Sequence, residues 1–312
     1  MRISTNLMFQ KHLTSITNTN VKWQESGSHL STGKKILAPS DDPIGSSQSL
    51  ILKQAQSRND QFQSARENAN DSLSRQETVL QEANTVIHSI QETLVYAGDE
   101  TLTDLDRLNL ADKLKGLKEE LFSLANAKDA NGNYLFAGYK NDTPPFVISA
   151  GQVSYVGGSA NINVFIDETH EVSLSFTGSQ IFMTGANPNA ESNIFASIDY
   201  ALEALETGID SSNPAAIAQF RDGLSKASQG IANSFENIST VRAAGGNVLT
   251  ELERLTMHGK ALDNEFETQI SLIEDVDWYE EISKYMMLQV NLQAAQYTFK
   301  SLQNMSLFQQ AN

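Results

Sequence analysis

The chain has 312 residues, 40% of them hydrophobic, no cysteine and a net charge of −16. The lack of cysteine excludes disulfides, thiolate metal sites and cysteine nucleophiles, and the excess of carboxylates disfavours binding to nucleic acid or to anionic membrane surfaces. The apolar runs are too short to span a bilayer and residues 1–30 have none suited to a signal peptide, so we expect neither membrane insertion nor a cleaved secretion signal.

Residues 36–47, ILAPSDDPIGSS, predict a loop that opens a long helix. Ser40, Asp41 and Asp42 are good capping residues, and Pro43 suits the first helical turn. Beyond them, positions at a seven-residue step predict one helix of about fifty residues that packs lengthwise. One series is Ala55, Phe62, Ala69, Gln76, Ala83 and Ile90, and the other is Leu73, Leu80, Ile87 and Leu94.

A second helix and a turn follow. Gly98 and Asp99 should end the first helix, and five leucines between Leu110 and Leu124 have the spacing of an amphipathic helix that folds back on it. The run DANGN at Asp129–Asn133 is a turn signal. The sequence therefore predicts a helical hairpin up to this turn.

The middle of the chain changes from helical to alternating periodicity, which predicts short antiparallel strands. Because this insert is short and its turns are rich in glycine, we expect a small module outside a helical body. Asn187-Pro188-Asn189 should end it. The alternating positions are Val153 and Tyr155, then Ile162, Val164 and Ile166, then Val172, Leu174 and Phe176.

Helical spacing resumes after the insert. Phe195, Ile198, Leu202 and Leu205 predict one helix, and a break is expected at residues 208–214. Apolar residues then alternate at steps of four and three from residue 220 to residue 276, which predicts a second long helix. Residues 245–246, both glycine, mark a point where this helix could kink.

The C-terminal stretch, residues 278–308, contains two apolar series that each repeat every seven residues, the period of a helix packed against another helix. Residues 1–35 carry a similar stripe. Neither end has an evident third element to cover it, so we expect that the two ends either pair and remain half exposed or polymerise. The predicted assembly interface consists of Leu7, Leu30, Trp278, Tyr285, Leu288, Leu292, Phe299 and Leu302.

These elements predict a mainly α chain with a β insert (α+β), in which long antiparallel helices from both chain ends form an elongated rod. The expected terminal assembly segments are residues 1–40 and 275–312, which should be disordered in the monomer. Residues 41–133 and 190–274 should form the helical part of the rod, and residues 134–189 a small outer β domain.

The sequence contains few patterns typical of catalytic, cofactor-binding or metal-binding sites. The P-loop-like run GSHLSTGKK at residues 27–35 has the wrong glycine spacing and Lys35 where serine or threonine should reach magnesium. Adjacent acids such as Glu119 and Glu120, or Glu280 and Glu281, point apart on helices. We therefore predict no catalytic residues, no cofactor and no metal site. No two of the five histidines, His12, His29, His88, His170 and His258, have zinc-ligand spacing.

Four segments in this order resemble the flagellin superfamily: MRISTNLMF at the start, LSTGKKILAPSDDP at residues 30–43, GNYLFAGY at residues 132–139 and YTFKSLQNMSLF at residues 297–308. Within it they look most like the proteins at the junction of hook and filament, because PSDDP replaces the KDDAAG-like loop of flagellins and the chain starts MRIST instead of MAQVINTN. Filament flagellin is the close alternative.

The resemblance implies a structural subunit that forms the hook–filament junction and templates flagellin polymerisation. It implies that both chain ends pair as a coiled coil lining a hollow tube, with the β module outermost. It also implies export through the flagellar type III channel to the extracellular flagellum, with a chaperone bound to the C-terminal region. The implied partners are another junction protein on the hook side, flagellin on the filament side, and further copies in a ring or helical tube.

An alternative of another class is a secreted adhesin or ligand-binding protein that uses the β insert. Glycans could stack on Tyr139, Tyr155 or Phe176. The charged or titratable residues of the insert are too sparse for a convincing site. They are Lys140, Asp142, Asp167, Glu168, His170 and Glu171.

Overall fold

A computed structural model describes residues 2–99, 101–207 and 213–310, with side chains from residue 7 to residue 301. The described residues fall into two compact units, which we call the terminal unit (Met1–Asn59 with Lys260–Asn312) and the central unit (Asp60–Gly259). Long helices and small antiparallel sheets confirm the predicted α+β class. The helices are α1 (Arg2–Thr32), α2 (Pro43–Ala97), α3 (Asp104–Ala125), α4 (Gly178–Phe182), α5 (Ile194–Glu206), α6 (Pro214–Glu274) and α7 (Trp278–Gln310).

The predicted start of the first long helix is confirmed. Helix α2 begins at Pro43, and the Asp42 carboxylate accepts hydrogen bonds from the backbone N–H groups of Ile44 at 3.1 Å and Gly45 at 3.0 Å. These bonds satisfy two of the donors that every helix start leaves free. The helix ends at Ala97, one residue before Gly98. Helix α6 runs through residues 245–246 without a break.

The β insert forms two two-stranded antiparallel sheets, β1 (Phe146–Ser149) with β2 (Gln152–Tyr155), and β3 (Asn163–Phe165) with β4 (Glu171–Ser173). The sequence did not predict β1, because its residues FVIS have no polar alternation. It also missed α4, which has five residues and is too short for a periodic signal.

The motif GNYLFAGY follows a tight turn. The Asp129 carboxylate accepts hydrogen bonds from the N–H groups of Asn131 and Asn133, both at 2.8 Å, which confirms the predicted turn. Gly138 in this motif has φ of 59°, and a Cβ there would lie 2.8 Å from the carbonyl oxygen of Ala160. Only glycine fits such a backbone.

The insert and α3, α5 and the adjoining parts of the long helices share one apolar core in the central unit. Four buried phenylalanines lie at its centre, and Phe146 contacts Phe182 and Phe195 with ring centres 5.7 Å apart in each pair. Phe136 lies 5.8 Å from Phe182. Ring contacts of this kind stabilise a core beyond the area that they bury.

Gln76 joins two separate segments of the insert to α2. It occupies an otherwise apolar position of the heptad series and is buried. Its amide donates to the carbonyl of Leu135 at 2.9 Å and accepts from the N–H of Phe176 at 3.0 Å. One side chain therefore satisfies backbone groups in two separate segments of the insert.

We expect Gln76→Leu to lower the free energy of unfolding by about 2 to 4 kcal/mol, because it strands a buried N–H and a buried C=O. Gln81→Leu, an exposed position of the same helix, is the matched control and should change it by less than about 0.5 kcal/mol. Urea unfolding followed by circular dichroism measures both. Equal effects of the two substitutions would show that the Gln76 bridge does not hold the insert.

Candidate assembly interface

Helices α1 and α7 pack against each other in the terminal unit. The rings of Phe9 and Phe299 lie 4.9 Å apart, and those of Trp23 and Tyr285 stack at 5.5 Å with an interplanar angle of 28°. Contacts from early residues of α1 therefore meet late residues of α7, so the pair is antiparallel. Pairing of the two chain ends was one of the two outcomes expected from their stripes.

The eight predicted interface residues fall into different surroundings. Tyr285 and Phe299 contact α1, and Leu30, Leu288 and Leu292 are half-buried. Leu7 is 54% exposed and Trp278, which lies beside Gly33, is 51% exposed. The side chain of Leu302 lies outside the described residues. A role of these residues in assembly stays a prediction.

A second apolar series of α7 lies on a different face of the helix from the residues that contact α1. Its exposed fractions range from 45% for Ile282 to 89% for Tyr279. At 100° per residue these positions project on average about 120° from the series that includes Tyr285 and Phe299. We call this surface the outer stripe: Tyr279, Ile282, Met286, Val290 and Tyr297. In the sequence this stripe appears as spacings of three, four, four and seven residues, but the longer heptad series on the same helix made it hard to recognise.

Glu274 connects three segments of the terminal unit. Its side chain is 9% exposed and accepts hydrogen bonds from Lys34 at 2.6 Å, from Lys53 and from the hydroxyl of Ser49. The backbone adds to this, because the N–H of Lys35 donates to the Glu274 carbonyl at 2.7 Å. One carboxylate therefore joins the end of α6 to the start of α2 and to the segment after α1.

Burial alone would raise the pKa of Glu274, but the hydrogen bonds from Lys34, Lys53 and Ser49 outweigh it and lower the pKa to about 2. A second carboxylate, Glu281 in the first turn of α7, lies 3.5 Å from His29 Nδ1 and 3.2 Å from Lys284 Nζ. Burial opposes ionisation there too, yet the neighbouring polar and charged groups lower its pKa. Sequence reasoning missed the Glu274 contacts and the His29–Glu281 pair, since the partners in these contacts are far apart in the chain.

The other sequence candidates offer no reactive centre. Residues 27–32 of GSHLSTGKK lie inside α1 and form no phosphate-binding loop. Among the described residues no group of three histidines or carboxylates could hold a metal ion, and no helix there is long and apolar enough to cross a membrane.

Two of the three aromatic residues suggested for glycan binding make contacts within the protein. The Tyr155 hydroxyl donates to the carbonyl of Gly158 at 2.7 Å, and burial raises its pKa. Phe176 packs against the central core. Tyr139 alone of the three is exposed. The remaining surface of the insert therefore gives little support to the adhesin alternative.

The Glu274 contacts make the stability of the terminal unit depend on pH. Because the folded-state pKa lies below the unfolded value of 4.5, the stabilisation is complete above about pH 4.5 and is lost as the pH falls towards 2. We expect Glu274→Gln to remove about 1 to 3 kcal/mol at pH 7, the upper value being reduced by screening at the half-exposed lysines. Between pH 6 and pH 3 the free energy of unfolding of Glu274→Gln should therefore fall by less than that of the wild type.

Urea unfolding followed by circular dichroism measures this, because Ser49 and Lys53 in α2 and Glu274 in α6 lie outside the terminal segments that are expected to be disordered in the free subunit. Glu267→Gln, an exposed carboxylate of α6, is the control and should keep the wild-type pH dependence. If Glu274→Gln kept it as well, the carboxylate would not be the anchor.

Comparison with known proteins agrees with this architecture. Residues 3–141 match the family described as bacterial flagellin N-terminal helical region. The chain is 40% identical to flagellar hook-associated protein 3 of Salmonella typhimurium and 41% identical to that of Escherichia coli, in each case over 99% of both chains. The fold is similar to that of the flagellar junction protein from Legionella pneumophila (TM-score 0.60, 17% identity, covering 73% of this chain and 100% of that one). The chain therefore belongs to the flagellar hook-associated protein 3 family, structural proteins of the bacterial flagellum.

Proposed function

We propose that the chain is a non-enzymatic subunit of the junction between hook and filament, where it templates flagellin polymerisation. The observation that supports this most directly is the outer stripe of α7. A helix that has already packed one face against α1 and exposes a second apolar face needs another subunit to bury it.

The partners follow from this proposal. Another junction protein would lie on the hook side and flagellin on the filament side, with further copies of this chain beside it in a ring or helical tube. The stripe is about 27 Å long at 1.5 Å per residue, enough to seat several turns of a neighbouring helix. Burying its five side chains removes the apolar area that an isolated subunit exposes to water.

Export fits the same account. The chain would pass unfolded through the flagellar type III channel and reach the extracellular flagellum, and a chaperone would hold the C-terminal region until then. The absence of cysteine, and so of disulfides, suits a chain that is threaded unfolded. An exposed apolar helix also needs protection before assembly, because such surfaces aggregate.

Filament flagellin remains the second candidate, since the matched family at residues 3–141 is that of flagellin. The two functions differ in copy number and place. Immunogold labelling of intact flagella separates them, because a junction subunit marks one band next to the hook and a filament subunit marks the whole length.

The outer stripe yields a direct test. We expect Met286→Asp with Val290→Asp to leave the melting temperature of the purified monomer within about 2 °C, because both side chains are already exposed at 58% and 62%. The same chain should be secreted but should not support filaments in a strain that lacks the native gene. Electron microscopy of cells and immunoblotting of the medium provide the two readouts.

The matched control is Asn291→Asp with Gln296→Asp, which adds two carboxylates at exposed positions flanking the stripe. These cells should keep their filaments. Normal filaments with the stripe variant would exclude the stripe from assembly.

The terminal segments, residues 1–40 and 275–312, are proposed to be disordered in the free subunit. A single helix pair that leaves one face exposed gains too little to offset the ordering entropy of its residues. Limited proteolysis should therefore cut both segments well before α3. Resistance of the segments equal to that of α3 would contradict the proposal.

A further inference from the structure

The outer stripe of α7 contains one sulfur atom. Met286 is the third of the five stripe residues and lies between Ile282 and Val290, each one helical turn away. Its side chain is 58% exposed. A thioether is unbranched and polarisable, so it packs well in an apolar contact. It differs from an aliphatic side chain in that peroxide converts it to a polar group.

The lack of cysteine makes the methionines the first targets of a two-electron oxidant in this chain. Thiolates react readily where a protein has them, but this sequence has no cysteine and seven methionines. Access to the sulfur then decides which methionine reacts. Among the described side chains Met8, Met257, Met286 and Met287 are exposed, whereas Met183 is half-buried against the central core. Peroxide can therefore reach the stripe.

The reaction needs only a peroxide and releases water. The Met286 sulfur attacks one oxygen of hydrogen peroxide, so that an S–O bond forms and the O–O bond breaks. The sulfur loses two electrons, and the departing hydroxide takes up the remaining proton. The product is methionine sulfoxide, a polar and chiral group that methionine sulfoxide reductases convert back to the thioether.

A sulfoxide in the middle of the stripe opposes the burial of this surface. A strongly polar oxygen that a neighbouring subunit covers without donating a hydrogen bond costs free energy. Oxidation of Met257 introduces the same group into α6 in the central unit, outside the stripe. Met257 is 60% exposed, about as much as Met286. Position rather than reactivity therefore distinguishes Met286.

We propose that Met286 is an oxidation site at which peroxide makes the outer stripe polar, so that the free subunit assembles only while this methionine is reduced. The proposal rests on the proposed function, because it requires the outer stripe to be an assembly contact. It adds a form of regulation to that function. Peroxide acts on the subunit before assembly, while the thioether is still exposed.

The accessibility of Met286 is measured on the purified full chain. Mass spectrometry of proteolytic peptides after addition of hydrogen peroxide gives the oxidation rate of each methionine, with the urea-unfolded chain as the reference. Met286 should react within about twofold of its unfolded rate, whereas Met183 should react at least about fivefold more slowly than when unfolded. Equal slowing of the two would overturn the proposal, because the Met286 sulfur would then be shielded.

The effect on assembly is measured in cells that lack the native gene and produce the wild type, Met286→Leu or Met257→Leu. Met286→Leu keeps the stripe apolar and close to its volume, so all three untreated strains should have filaments. A peroxide dose that oxidises Met286 in the secreted wild-type chain should lower the number of filaments per cell at least about fivefold in the wild type and in Met257→Leu. Met286→Leu should lose less than about twofold at the same dose.

A permanent polar group at this position tests the consequence without peroxide. Met286→Gln should lower the number of filaments at least about fivefold, and the matched control Met257→Gln should leave it unchanged. Because both positions are exposed, neither substitution should lower the melting temperature of the purified chain.

Four results would overturn the proposal. They are equal losses of filaments in the wild type and Met286→Leu under peroxide, normal filaments from a chain oxidised at Met286, a Met286 that stays reduced at doses that oxidise Met257, and normal filaments with Met286→Gln. Failure of the proposed function is a separate result. It appears in untreated cells, as normal filaments with the Met286→Asp and Val290→Asp chain, whereas the oxidation proposal fails alone when that chain loses its filaments and Met286→Gln keeps them.

Discussion

Two helices that pack side by side can bury only the faces that they turn towards each other, and this constraint governs the terminal unit. In α7 the inner face meets α1 through Tyr285 and Phe299, while the outer stripe stays in water. Apolar area of that extent on a helix is unfavourable for an isolated molecule. It would become favourable if another subunit covered it, as the proposed assembly requires.

The helix pair must also be attached to the neighbouring segments of the terminal unit, and Glu274 makes this connection. A carboxylate buried in that position would be costly alone, but two lysines and a serine hydroxyl surround it. The net effect is a pKa of about 2, which means that the charged form is strongly preferred throughout the physiological range. The ionic contact ties the chain on both sides of the helix pair while leaving the outer stripe unobstructed.

Buried polar side chains in the central unit differ in how far the fold of one chain satisfies their hydrogen bonds. The Gln76 amide has a donor and an acceptor partner in the backbone of the insert, so its burial is explained by the fold of one chain. Arg107 is also buried, but its Nε has no hydrogen-bond partner among the described residues. Gln76 therefore helps to hold the insert in place, whereas the guanidinium of Arg107 packs on the Phe220 ring.

The amino-acid sequence by itself determined where the long helices lie and that both ends carry an apolar stripe, because heptad spacing, the cap at Asp42 and the turn at Asp129 are local signals carried by neighbouring residues. It also carried the family resemblance. Tertiary structure alone decided which face of α7 remains exposed, since two apolar series compete for α1 and only packing selects one. It likewise decided the contacts of Glu274 and Arg107, because these depend on residues that are distant in sequence or on burial, and neither leaves a periodic pattern in the chain.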